Sequence, residues 1–121
     1  MKTLYLPLKA KWYDMIESGV KPEEYREFKP YWMKRICKHV KKGKCTNTAF
    51  CAGCQHIVYV PTDITHVCLS YGYTRRRMTF EVESVKAAIG NPEWGAPKDE
   101  KVFIIKLGKR VNNNPIKSTT R

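Results

Sequence analysis

The stretch from residue 38 to residue 56 constrains this chain more than any other. It is basic and rich in cysteine, and its few apolar residues follow no period. A structureless connection of that length is unusual inside a compact domain unless something staples it. A chain of 121 residues fits one domain with one core. The apolar segments on either side of the stretch are therefore expected to pack into the same core. The expected organisation is a single domain over residues 1–111, with a cysteine-rich insert at 37–56 and a polar basic tail at 112–121.

The staple is legible in the cysteines. Cys37, Cys45, Cys51 and Cys54 supply four soft ligands, and Cys51-Ala52-Gly53-Cys54 has the two-residue spacing of a zinc knuckle, with Gly53 easing the turn. The seven residues between Cys37 and Cys45 are a longer gap than such sites usually have, so His39 and His56 stand as alternate ligands. The expected cofactor is a structural zinc ion, because four thiolates leave no open coordination position for catalysis. Free thiols are the other reading. Cys68 falls in a strand-like run and is expected as a small buried hydrophobe. No stretch approaches the roughly 20 apolar residues that span a bilayer, and charges follow the first apolar run too soon for a secretory signal. A cytoplasmic chain keeps its thiols reduced, which favours metal or thiols over disulfides.

The remaining pattern predicts a mixed α+β fold. Residues 3–6 read as a strand ended by Pro7. Leu8, Trp12, Met15 and Ile16 form one stripe of an amphipathic helix, with Gly19 placed to cap it. Pro22 turns residues 23–27 toward an extended segment. Tyr31, Trp32, Ile36 and Cys37 have helical spacing within residues 28–37. Residues 66–71 and the strictly alternating 78–83 read as strands framing a loop, and 102–107 as a mostly buried closing strand. Between them, Gly90-Asn91-Pro92 and Gly95-Ala96-Pro97 bracket Trp94 in a long turn. Several short strands with one clear helix suggest a small barrel.

The charge of +12, from 23 Lys and Arg against 11 Asp and Glu, favours a polyanionic partner. It is clustered at Lys34 to Lys44, at Arg75-Arg76-Arg77 and from Lys106 to the end, segments without an acid. Such clusters serve equally as one binding face or as solvated surface. Aromatic residues interleave two of them: Tyr71 and Tyr73 before the three arginines, and Tyr31 and Trp32 before Lys34 and Arg35. Rings stack on unpaired bases while cations meet phosphates. Trp32 and Tyr71 are expected in the core, and Tyr73 and Arg76 at the surface in contact with ligand.

Gly19-Val20-Lys21-Pro22-Glu23-Glu24-Tyr25-Arg26 has the form G-x-K-x-x-E-x-R and follows the first helix directly. In residues and position it resembles the signature of the ASCH domains, a branch of the PUA-like β-barrels, and the resemblance extends over residues 3–26 and 65–109, leaving the cysteine-rich insert outside. It implies a small PUA-like barrel with one or two flanking helices, an RNA or nucleotide partner, and a cleft lined by Lys21, Glu24 and Arg26, which the loop residues Tyr73 and Arg76, read from their own pattern, are expected to assist. Glu24 and Arg26 share a face under period-two geometry, so they can also close an internal salt bridge.

Some members of the wider ASCH group are similar to hydrolases of acetylated cytidine that use a lysine and a nearby hydroxyl. Here Glu24 stands where the threonine belongs, and residues 21–26 hold no Ser or Thr. An enzymatic alternative would use Glu24 as general base on water and Lys21 as the cation, in a hydrolase acting on RNA or modified nucleosides. A third reading is a basic module that meets an acidic protein.

Overall fold

The computed structural model describes residues 2–38 and 59–111. It is an α+β chain with five strands and two α-helices in the order β1 (Thr3–Leu8), α1 (Ala10–Glu17), β2 (Glu23–Glu27), α2 (Pro30–Ile36), β3 (His66–Tyr71), β4 (Arg77–Ile89) and β5 (Lys101–Val111). The strands form one sheet in the order β1-β3-β4-β5-β2. β1 runs parallel to β3, while β3–β4 and β2–β5 are antiparallel pairs. The described residues of Met1–Pro22, Ile64–Glu83 and Leu107–Arg121 form one compact unit, and those of Glu23–Asp63 and Ser84–Lys106 a second.

In the first unit, α1 packs on β1 and β3. Leu6 and Leu8 of β1 point inward while Tyr5 and Pro7 point out, the alternation a strand imposes. β1 continues through Pro7 to Leu8, past the expected stop. It is terminal in the sheet and needs ladder donors only toward β3, so a proline is tolerated there. Leu8 consequently belongs to β1, not to the helical stripe, and the buried face of α1 is Tyr13 with Ile16. Gly19 follows the helix at φ 87°, in the position expected of a cap. β3 buries Val67, Cys68, Leu69 and Ser70 in succession, so both of its faces are covered. Each fully buried aliphatic side chain contributes about 1.5–3 kcal/mol, so Val67 and Leu69, both 0% exposed, are a substantial part of this unit's core.

In the second unit, β5 does the same through Val102, Phe103, Ile104 and Ile105. Its register sets Tyr25 opposite Ile104 and Arg26 opposite Phe103. One face therefore collects Tyr25, Val102 and Ile104, with Ala96, Ala88 and Trp94 packed around them. The other face holds Phe103, whose ring lies 4.8 Å from that of Phe28. α2 buries Met33 and Ile36 and leaves Tyr31 largely exposed. The long turn contains a short 3-10 helix at Pro92–Trp94, capped by the Asn91 side chain, which accepts the Glu93 N–H at 2.9 Å. β4 and β5 both run longer than the expected strands, the alternating 78–83 and the mostly buried 102–107. No helix among the described residues is long and apolar enough to cross a membrane.

Candidate functional site

The signature segment leaves α1 through the backbone bond from the Lys21 N–H to the Met15 carbonyl, 3.0 Å. Lys21 is 1% exposed, and its Nζ lies 5.5 Å from the centroid of the Trp12 ring, within cation–π range. Trp12 was visible in the sequence as part of the helical stripe. Its i+9 relation to Lys21 is not a helical neighbour spacing, so nothing in the periodicity pointed to the contact.

Three residues on, β2 carries Glu24, Tyr25 and Arg26. Glu24 is 5% exposed. The Arg26 guanidinium donates from Nη1 to Glu24 Oε2 at 2.6 Å and to the Tyr25 carbonyl at 2.7 Å. Its carbon lies 5.3 Å from the Trp32 ring centroid. Period two puts Glu24 and Arg26 on one face of β2, and the ion pair that this spacing permits is formed. On the opposite face the Tyr25 hydroxyl donates to Glu23 Oε2 at 2.5 Å and accepts the Asn91 N–H at 3.1 Å. Burial, reinforced by the Glu23 carboxylate, pushes the Tyr25 hydroxyl far above the ordinary tyrosine range. Trp32, expected in the core, is only partly buried and serves as the ring beside Arg26.

The loop between β3 and β4 holds the other two predicted contacts. Tyr73 is 96% exposed. Arg76 is exposed as well, but its guanidinium is engaged: Nη2 lies 2.8 Å from Glu17 Oε1, and the carbon sits 5.1 Å from the Tyr13 centroid and 4.8 Å from that of Tyr71. Tyr71, also expected in the core, is partly buried and meets Tyr13 edge to face at 5.1 Å. Burial raises the Tyr13 hydroxyl above its usual value and the Glu17 charge adds to that, while Arg76 and Arg110 oppose it. Tyr13 and Glu17 escaped the sequence reading as functional residues. Their i, i+4 spacing, which puts them side by side on α1, was the available signal.

Of the expected metal ligands, Cys37 is described. It follows α2 directly, is 2% exposed, and like Cys68 of β3 is a buried thiol. Cys45, Cys51 and Cys54, and the alternates His39 and His56, lie outside the described residues. Among the described residues, no three His, Cys, Asp or Glu side chains gather as a metal site. The flanks of the intervening segment do meet: the Lys38 N–H donates to the Pro61 carbonyl at 2.8 Å, and the Val60 N–H to that of Val85 at 2.8 Å. Lys38 and Pro61 thus stand side by side within the second unit.

No family model, no curated protein and no solved structure matches this chain.

Proposed function

We propose that the chain is an RNA- or nucleotide-binding domain of ASCH type, built on a PUA-like β-barrel, with a structural zinc ion held by Cys37, Cys45, Cys51 and Cys54. Lys21, Glu24 and Arg26 contact the ligand, and Tyr73 and Arg76 assist.

The observation that carries this reading is burial in the signature segment. Lys21, Glu24 and Ser70 are the buried polar or charged side chains among the described residues, and two of these three belong to G-x-K-x-x-E-x-R. Taking a lysine and a carboxylate out of water is costly, and chains tolerate it chiefly where the groups are paired or used. The charge of +12 adds a general attraction for phosphates.

The test is binding of the metal-analysed protein to short single-stranded RNAs, duplex RNA and modified cytidines across a salt series, with each mixture assayed for product. Salt-dependent binding without turnover is the expected result, weakened by Lys21→Ala. Turnover abolished by Glu24→Gln would make the chain a hydrolase that uses Glu24 and Lys21. Absence of both would leave an acidic protein as the partner of the basic surface.

A further inference from the structure

We infer that the loop joining β3 to β4 is a preformed reader of single-stranded RNA, in which Tyr73 stacks on a base, Arg75 and Arg77 meet the flanking phosphates, and Arg76 is the positioning residue that holds the loop in place. This rests on the RNA-binding reading above and divides its loop residues into two roles.

The loop is short and heavily tied. The Tyr71 N–H donates to the Arg76 carbonyl at 2.9 Å, closing the hairpin, and the Gly72 N–H donates to the Leu8 carbonyl at 2.7 Å, fastening it to the end of β1. The Ser70 hydroxyl donates to the Gly72 carbonyl and the Thr74 hydroxyl to the Tyr71 carbonyl, each at 2.6 Å. Thr74 Oγ1 in turn accepts the Arg76 N–H at 3.3 Å. Several backbone donors and acceptors that a loop normally offers to water are thus met internally, which lowers the entropy the segment loses on binding.

At the tip of this fixed frame stands a tyrosine 96% exposed. A large ring in water contributes nothing to the core, so packing gives no reason for a tyrosine at this position. The neighbours specify what it fits. Arg75 of the loop and Arg77, the first residue of β4, are exposed on either side of Arg76. A bare ring followed closely in the chain by exposed cations suits a strand whose bases are unpaired, because stacking needs a free base face and the cations need a backbone phosphate within reach.

Arg76 is different in kind. Its guanidinium lies against two rings, Tyr13 and Tyr71, and is paired with Glu17 of α1. It links the loop to the helix, so its charge is already met by a carboxylate.

The experiment uses the full chain and a fluorescein-labelled oligouridylate, read by anisotropy over a salt series. Tyr73→Ala, which removes no packing, lowers affinity about 5- to 150-fold, the span of base–aromatic stacking, while Tyr73→Phe preserves it. Arg75→Gln and Arg77→Gln each flatten the slope of log affinity against log salt by about 0.7. Glu17→Gln and Arg76→Gln weaken binding without changing that slope. Glu17→Gln also speeds amide hydrogen exchange at Gly72 and Arg76 in the ligand-free protein, a readout independent of RNA. Higher affinity in Glu17→Gln would show that Arg76 is itself a phosphate ligand and overturn its positioning role. Wild-type binding that is indifferent to Tyr73→Ala, or equal for a blunt duplex, or displaced as well by oligoglutamate, would overturn the loop assignment alone. No binding by the wild-type chain would overturn both this assignment and the RNA-binding reading beneath it.

Discussion

Arg26 and Glu24 stand two residues apart on β2 and close a 2.6 Å ion pair whose carboxylate side chain is only 6% exposed. The arginine is also the hydrogen-bond donor to the Tyr25 carbonyl. A pair this sheltered is weak evidence for net stabilisation, but removing one partner leaves the other charge uncompensated in a poor solvent for it. Arg26→Ala is therefore expected to lower stability by roughly 2–3 kcal/mol, a fall in Tm on the order of 10 °C. Replacing both groups, as Glu24→Gln with Arg26→Gln, costs less than the single change. Thermal melts of the three variants check the sign, and an unchanged melt for Arg26→Ala would show that the pair does not fix the segment.

Periodicity exposed most of the framework and little of the site. Val67 to Leu69 and Val102 to Ile105 read as strands because uninterrupted apolar runs of that length suit a sheet covered on both faces. Glu23 to Glu27 read as extended because Pro22 bars a continued helix. Leu8 was misplaced because a single apolar residue between a strand and a helix satisfies either period, and only the pairing with Tyr71 of β3 decides it. Tyr71 and Trp32 were misjudged as core because an aromatic residue counts as apolar in any pattern, although its ring can be what an arginine stacks on. Arg76 with Glu17 joins positions 59 residues apart, and no local pattern carries that information.

Gly90 lies where no side chain fits. A Cβ built there would stand 2.7 Å from Tyr25 Cε1 and 2.8 Å from the Ala96 Cβ. The tyrosine ring has little room to yield, because its hydroxyl is held by both Glu23 and the neighbouring Asn91 N–H. Gly90→Ala should cost about 1–3 kcal/mol through overpacking. Denaturant titration would read it as a lower midpoint at constant m-value. The test is sharpened by Gly19→Ala, where open space surrounds the new methyl group and only the positive φ opposes it.

Tyr25 also predicts an alkaline limit to stability. Its hydroxyl is raised by burial and then by the Glu23 hydrogen bond, so the folded chain retains the phenolic proton after the unfolded chain has lost its own. With fewer protons bound to the unfolded state, stability falls as pH rises. This contribution is fully present below about pH 10 and is lost progressively above it, with Tyr13 acting in the same direction. Melts between about pH 8 and about pH 11 should show the decline, and Tyr25→Phe should be less stable at neutral pH but flatter across that window.

The proposed zinc site predicts one bound ion per chain and a fold that depends on it. Structural zinc couples metal binding to folding, since the thiolates converge only when the segment is ordered. Cys37 sits directly after α2, and Lys38 is fastened to Pro61, so a metal ligated by Cys37, Cys45, Cys51 and Cys54 would be anchored where the segment joins the second unit. Chelation should then lower Tm by several degrees, and added zinc should restore it. Cys37→Ser should lose the ion, whereas Cys68→Ser, altering a buried thiol within β3, should retain it while losing some packing. Metal analysis of the two variants separates the readings: equal zinc in both would remove Cys37 from the ligand set, and no zinc in the wild-type chain would leave the segment's cysteines as thiols.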